Sequence, residues 1–220
     1  MHIQAFSIIL FLALALLIEQ CICQFVLDRT ELALWIPTYA TDSTIDLSFS
    51  KAITSIQPQT FANLTRLEIL YLDSNKLTSL GVSTFDDLRN LKILWLDYNQ
   101  LNALNRLVFS NLKSLFGLYI SHNELSGSLD SATFNALSNL EVLDLRANQL
   151  TTIDAMLFSK LARLRVLYLN ENSLISVDRL VFLGLLNLEH VYMENNPISS
   201  ILVSFILQLC STNPKCIIYI

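Results

Sequence analysis

The sequence predicts a solenoid of about seven stacked turns, each laying one short strand into a shared parallel sheet, and three observations predict it. The stretch Leu67-Glu-Ile-Leu70-Tyr-Leu72-Asp-Ser-Asn75-Lys-Leu77 has its pattern restarted at Leu91, Leu115, Leu140, Leu164 and Leu188, a period of 24 residues with a single slip to 25. Self-similarity at a fixed period in this range marks a repeat architecture. In the same phase, Phe61, Phe85, Phe109, Phe134, Phe158 and Phe182 recur, each followed three residues later by Leu64, Leu88, Leu112, Leu137, Leu161 and Leu185. Composition agrees: 220 residues, 53% hydrophobic and 15% charged, suit one extended domain with a leucine-built core and an export signal.

Within each unit, alternation at period two puts Leu70 and Leu72 on one side of a short strand and Tyr71 on the other. Three residues cannot bury themselves, so the strands one period away must stack alongside at ~4.8 Å, and the core forms between repeats. Asn75, Asn99, Asn123, Asn148, Asn172 and Asn196 stand where the chain leaves the strand, placed to satisfy backbone groups that the turn removes from water. The Phe and Leu series supply the opposite, convex wall.

Residues 1–23 read as a secretory signal peptide. The apolar run Ile8 to Ile18 suits a signal core and falls short of the ~20 residues of a membrane span. The stretch before it has His2 but no Lys or Arg, and cleavage is placed after Cys23. Cleavage there removes Cys21 and Cys23, leaving Cys210 and Cys216 to pair across the loop Ser-Thr-Asn-Pro-Lys. Residues 24–43 form an N-terminal apolar lid around Phe25, Leu27, Leu32 and Trp35, broken at Pro37 and placed to cover the first strand's edge and the open core. Residues 44–197 are the repeats, the first of them atypical, with Ser50 near the asparagine position. Residues 198–220 are a C-terminal cap, in which Ser199 and Ser200 before an apolar run predict a capped helix. Leu125-Ser-Gly-Ser-Leu129 contains the one-residue slip, expected in the loop leaving the fourth strand. Asn63-Leu64-Thr65 is the single glycosylation sequon, with Asn63 on the convex side.

These residues resemble the extracellular leucine-rich repeat proteins, with the form L-x-x-L-x-L-x-x-N-x-L over roughly residues 44 to 209. The resemblance implies an α/β leucine-rich repeat solenoid, right-handed, with a curved parallel sheet on its concave face and terminal caps. It also implies a recognition scaffold in place of an enzyme. A cysteine-rich N-terminal cap is frequent in the family, but no cysteine lies between Gln24 and the first repeat here.

The residues give no catalytic arrangement. Three histidines, His2, His122 and His190, are dispersed, glycine-rich phosphate loops are absent, and the chain has four glycines. No catalytic residue, metal ligand or cofactor is expected. A net charge of -5 argues against nucleic acid and favours a neutral or cationic partner. A membrane association would require an uncleaved signal or a further C-terminal segment. The concave face collects Glu68, Asp73, Asp97, Glu141, Asp144, Glu171, Glu189 and Glu194 against Lys92, Arg146 and Arg165, a difference equal to the charge of the whole chain. The expected partner-binding residues are Tyr71, Trp95, Tyr98, Tyr119, Asp144, Arg146, Tyr168 and Tyr192. Asp144 interrupts an aromatic column and, with Arg146, follows the slip at Ser126-Gly127-Ser128. Aromatic residues on an exposed sheet predict a secreted protein that binds a protein ligand. The alternatives are a structural or matrix component, or a piece of a larger receptor ectodomain.

Overall fold

The computed structural model of the chain describes residues 25–49, 53–178, 180–199 and 215–220. The signal peptide, Cys21, Cys23, Ser50, the helix expected after Ser199, and Cys210 with its pairing to Cys216 all lie outside the described residues.

The described chain opens with strand β1 (Phe25–Leu27) and helix α1 (Arg29–Trp35). Asp28 caps the helix, its carboxylate accepting from the backbone N–H groups of Thr30 at 2.7 Å and Glu31 at 2.9 Å. The helix stops two residues before Pro37, which restricts the backbone that precedes it. Strands β2 (Thr44–Asp46) and β3 (Ile53–Ile56) follow. The regular repeats then contribute β4 (Ile69–Tyr71), β5 (Ile93–Trp95), β6 (Gly117–Tyr119), β7 (Ser126–Gly127), β8 (Val142–Asp144) and β9 (Gln149–Leu150). Beyond them lie β10 (Thr152–Ile153), β11 (Val166–Tyr168), β12 (Ser176–Val177), β13 (His190–Tyr192) and β14 (Ile217–Tyr219).

Eight of these strands make one parallel sheet in the order β14-β13-β11-β8-β6-β5-β4-β2. Register is kept throughout: Leu70 sits opposite Leu94, Leu94 opposite Leu118, Leu118 opposite Leu143, and Leu143 opposite Leu167. All five are completely buried, as the period-two alternation requires. The stack gives about seven turns of a solenoid with little helix. Its convex side is built of turns in which the Phe carbonyl accepts from the N–H of the Leu three residues on, as in Phe85 to Leu88 at 3.0 Å and Phe158 to Leu161 at 2.9 Å. That bond explains the fixed Phe–Leu spacing, because one tight turn points both side chains inward. The phenylalanines stack from repeat to repeat, with ring centroids 6.2 to 6.5 Å apart from Phe61 through Phe158.

Each asparagine joins two repeats. Asn99 Nδ2 donates to the carbonyls of Leu96 and Asp97 in its own turn and of Leu72 in the preceding one, and its Oδ1 accepts from Leu77 N–H. Asn123, Asn148 and Asn172 repeat the arrangement. One residue before each asparagine the backbone is left-handed, at Ser74, Tyr98, His122, Ala147, Glu171 and Asn195, with φ between 50 and 59°. This region is uncommon for residues other than glycine. It is held by a bond to the next repeat, such as Ser74 N–H to Asp97 carbonyl at 2.8 Å.

Three placements differ from the sequence expectations. β1 pairs with β3 and leaves β2 as the end strand of the main sheet, so the N-terminal residues cover the core and not that strand's edge. Leu27 and Leu32 are fully buried, and Phe25 stacks on Trp35 at 4.9 Å. The slip at Ser126-Gly127 makes a two-stranded sheet of β7 with β9, Gly127 taking a φ of 69°, where a plain loop was expected. Ile217–Tyr219, which carries no repeat signature, pairs with β13 as the eighth strand.

Candidate interaction surface on the concave sheet

The central outward column, read across the sheet, is Asp46, Tyr71, Trp95, Tyr119, Asp144, Tyr168, Tyr192 and Tyr219. Its aromatic members form two stacked runs. In the first, Trp95 lies 6.1 Å from Tyr71 and 3.9 Å from Tyr119, centroid to centroid. In the second, Tyr192 lies 4.7 Å from Tyr168 and 4.4 Å from Tyr219. All six rings are partly exposed. Parallel pairing in constant register causes the stacking, because it sets like residues one strand spacing apart. The 3.9 Å contact has a further cause. Gly117 leaves open the space its neighbours fill with Ile93 and Val142, and a Cβ built there would come within 3.0 Å of Tyr119 Cε2.

Asp144 divides the two runs, and it is not a surface residue. It is 2% exposed, Asp97 is 6% exposed and Ser121 1%, so three polar positions of the outward columns are buried. The Arg146 side chain lies against Asp144, a contact that a column count from sequence cannot register. One Asp144 oxygen accepts from Arg146 N–H at 3.0 Å, and the other meets Arg146 Nη2 at 3.1 Å. The guanidinium in turn lies 5.4 Å from the centroid of the Tyr168 ring, within cation–π range. Burial raises the Asp144 pKa to about 6, outweighing the backbone bond and the charge of Arg146, and Asp97 pushes it the same way. Asp97 is itself raised, chiefly by burial. Its Oδ1 accepts from Ser121 N–H at 2.6 Å, while its buried Oδ2 has no hydrogen-bond partner. The Asp144–Arg146 pair is therefore half-buried on one side, unlike the solvated pair its exposed columns would suggest.

Tyr98 sits apart from the strand column, at the left-handed corner, 57% exposed and stacked on His122 at 4.2 Å. The other two bases of the face are paired as well: Lys92 with Glu68 at 2.8 Å, and Arg165 with Glu189 at 2.9 Å and Glu141 at 3.4 Å. These pairs are exposed, and such pairs contribute little stability. Their effect is to neutralise one flank and leave acidic excess around Asp73, Asp97 and Glu194. The slip segment belongs to the β7–β9 sheet, not to the sheet that carries Asp144. Tyr219 is the contributor that repeat counting misses; its strand is recognisable only by pairing. On the other side of the molecule, Asn63 is exposed with φ 63°, its N–H bonded to Asp87 at 2.9 Å.

The leucine rich repeat family model matches residues 43–81, 65–125 and 127–174, and the chain belongs to the leucine-rich repeat family. Among solved structures, the chain is similar to TLR13 in its complex with ssRNA13, with a TM-score of 0.71 and 29% identity, covering 80% of this chain and 24% of that one. It is also similar to the Toll–Spätzle complex of Drosophila, with a TM-score of 0.66 and 28% identity, covering 71% of this chain and 21% of that one. The chain thus spans less than a quarter of the length of either. A search of curated proteins gives no match. No helix among the described residues is long and apolar enough to cross a membrane.

Proposed function

We propose that this is an extracellular recognition protein that binds a protein ligand on the concave sheet, and that it has no catalytic role. The observation that carries the reading is the pair of stacked aromatic runs, Tyr71-Trp95-Tyr119 and Tyr168-Tyr192-Tyr219, partly exposed on one continuous sheet. Tyr and Trp are the residues most often found as interface anchors, because they bring large contact area with few rotatable bonds. Held by stacking, these rings lose little freedom on binding. The acidic excess of the face supports a cationic or neutral protein over a nucleic acid, whose phosphates require basic residues. The likeness to Toll in its Spätzle complex supports recognition by a repeat scaffold of this kind.

Secretion follows from residues 1–23 read as a cleaved signal, with Asn63 as a glycan acceptor and Cys210 paired to Cys216 in the finished protein. The test is capture from extracellular fluid on immobilised full-length protein, with identification by mass spectrometry. A distinct partner whose retention falls with alanine at Trp95 or Tyr168 supports the reading. Self-association alone, with no other protein retained, favours the structural or matrix role.

A further inference from the structure

We propose that Asp144 and Arg146, with Asp97 as a like-charged neighbour, form a proton-operated latch, in which proton uptake at Asp144 frees Arg146 from that carboxyl and from its seat over the Tyr168 ring of the second aromatic run. The proposal does not depend on what the concave face binds.

The geometry has three parts. Two carboxylates, Asp97 and Asp144, are more than nine-tenths buried on the same face and both are raised chiefly by burial, Asp97 pushing Asp144 further the same way, while a single guanidinium pairs with Asp144. Burial and a like charge both disfavour the ionised form, so Asp144 takes up its proton at a higher pH than it would in water. Next, the hydrogen-bond account is incomplete: Asp97 Oδ2 and Arg146 Nε are both buried without a partner. A buried acceptor without a donor is costly, more so when charged, and a proton on the carboxyl relieves that cost. Last, Arg146 links Asp144 to the second aromatic run, holding Asp144 at 3.1 Å and lying over Tyr168 at 5.4 Å. Once Asp144 is neutral, the charge attraction that fixes the guanidinium is lost. Arg146 is then free to turn outward, and Tyr168 loses its cation.

The groups facing Asp144 are few enough to name. From its own strand's extension comes Arg146, from the β6 side Tyr119, from beyond it Asp97, and from β11 Tyr168. Asp97 faces Asp73 in addition. His190 stands further along the sheet on β13, with its ring 6.3 Å from Tyr192, which stacks on Tyr168.

The experiment is a carboxyl and tyrosine-ring NMR titration of the full-length protein over roughly pH 4.5 to 8, a window that brackets the Asp144 transition. The expected result is one shared midpoint near 6 for the Asp144 carboxyl and the Tyr168 ring. Asp97→Asn should lower that midpoint, since it removes the like charge, and Asp144→Asn should abolish the Tyr168 transition. If Asp144→Asn does not fold, Arg146→Met serves: the Asp144 midpoint should rise further and the Tyr168 transition should vanish. An Asp144 carboxyl that titrates in the ordinary carboxylate range overturns the proposal. So does a Tyr168 transition that survives Asp144→Asn and disappears in His190→Gln, which would assign it to the histidine.

Discussion

The ring of Tyr119 occupies the space above Gly117, so that a single Cβ on the glycine would stand 3.0 Å from Tyr119 Cε2. The missing side chain on β6 is what lets Tyr119 approach Trp95 to 3.9 Å, the closest stack on the face. Gly117→Val, which restores the residue type found at Val142 and Val166 in the same column, should therefore displace Tyr119 and open that stack. The Trp95 indole signal in an NMR spectrum should move, while the urea midpoint changes little, because the inward Leu118 is untouched. An unmoved Trp95 signal would show that the glycine does not govern the stack.

The asparagine ladder should carry much of the repeat's stability. Asn123 Nδ2 donates to the carbonyls of Leu96, Ile120 and Ser121, and its Oδ1 accepts from Leu101 N–H. Asn123→Ala orphans several buried groups at once, at a cost on the order of 3 kcal/mol. Asn139→Ala removes one exposed bond, to the Lys113 carbonyl, and should cost less than about 1 kcal/mol. Urea denaturation compares the two, and equal losses would contradict the ladder's role.

Leu145→Ala tests the register of the core. Leu145 is completely buried and should cost ~2 to 5 kcal/mol, against a much smaller loss for the partly exposed Tyr168→Ala. Because each repeat touches only its neighbours, the damage should centre on the mutated turn, visible as faster amide exchange there.

Stability should depend on Asp144 with a definite sign. Its folded pKa of about 6 lies above the ordinary 3.8, so the folded chain binds that proton more tightly than the unfolded chain. The contribution is complete below the unfolded value and is lost as pH rises through about 6, up to roughly 3 kcal/mol. Across this range the wild type should lose stability relative to Asp144→Asn as pH rises, so that melts of the two agree at the acid end and separate at the alkaline end. Identical slopes would mean that Asp144 is not buried as described.

Most of the scaffold is legible in the sequence because one residue type at one spacing has one job. Leu70 and Leu72 announce a strand, Asn75 its turn, Phe61 and Leu64 the opposite wall, and each is buried in the expected sense. Tyr219 escapes such reading, since Ile217–Tyr219 has neither the leucine nor the asparagine and is fixed only by pairing with β13. Asp144 is legible as an irregularity but not as a buried group. Its burial depends on how side chains of neighbouring strands and Arg146 pack around it, which spacing along one strand does not encode. The slip at Gly127 is visible as an extra residue, whereas its role in the β7–β9 pair depends on Gln149 and Leu150 one repeat later.

Recognition through the aromatic concave sheet is tested most directly by the affinity of a captured partner for full-length protein carrying Trp95→Ala, Tyr119→Ala or Tyr168→Ala. Each substitution should leave the fold intact and weaken binding about tenfold or more, on the order of 1.4 kcal/mol or greater. Unchanged affinity in all three, with binding abolished instead by Leu107→Ser or Met156→Ser at exposed positions outside the concave strands, would contradict it.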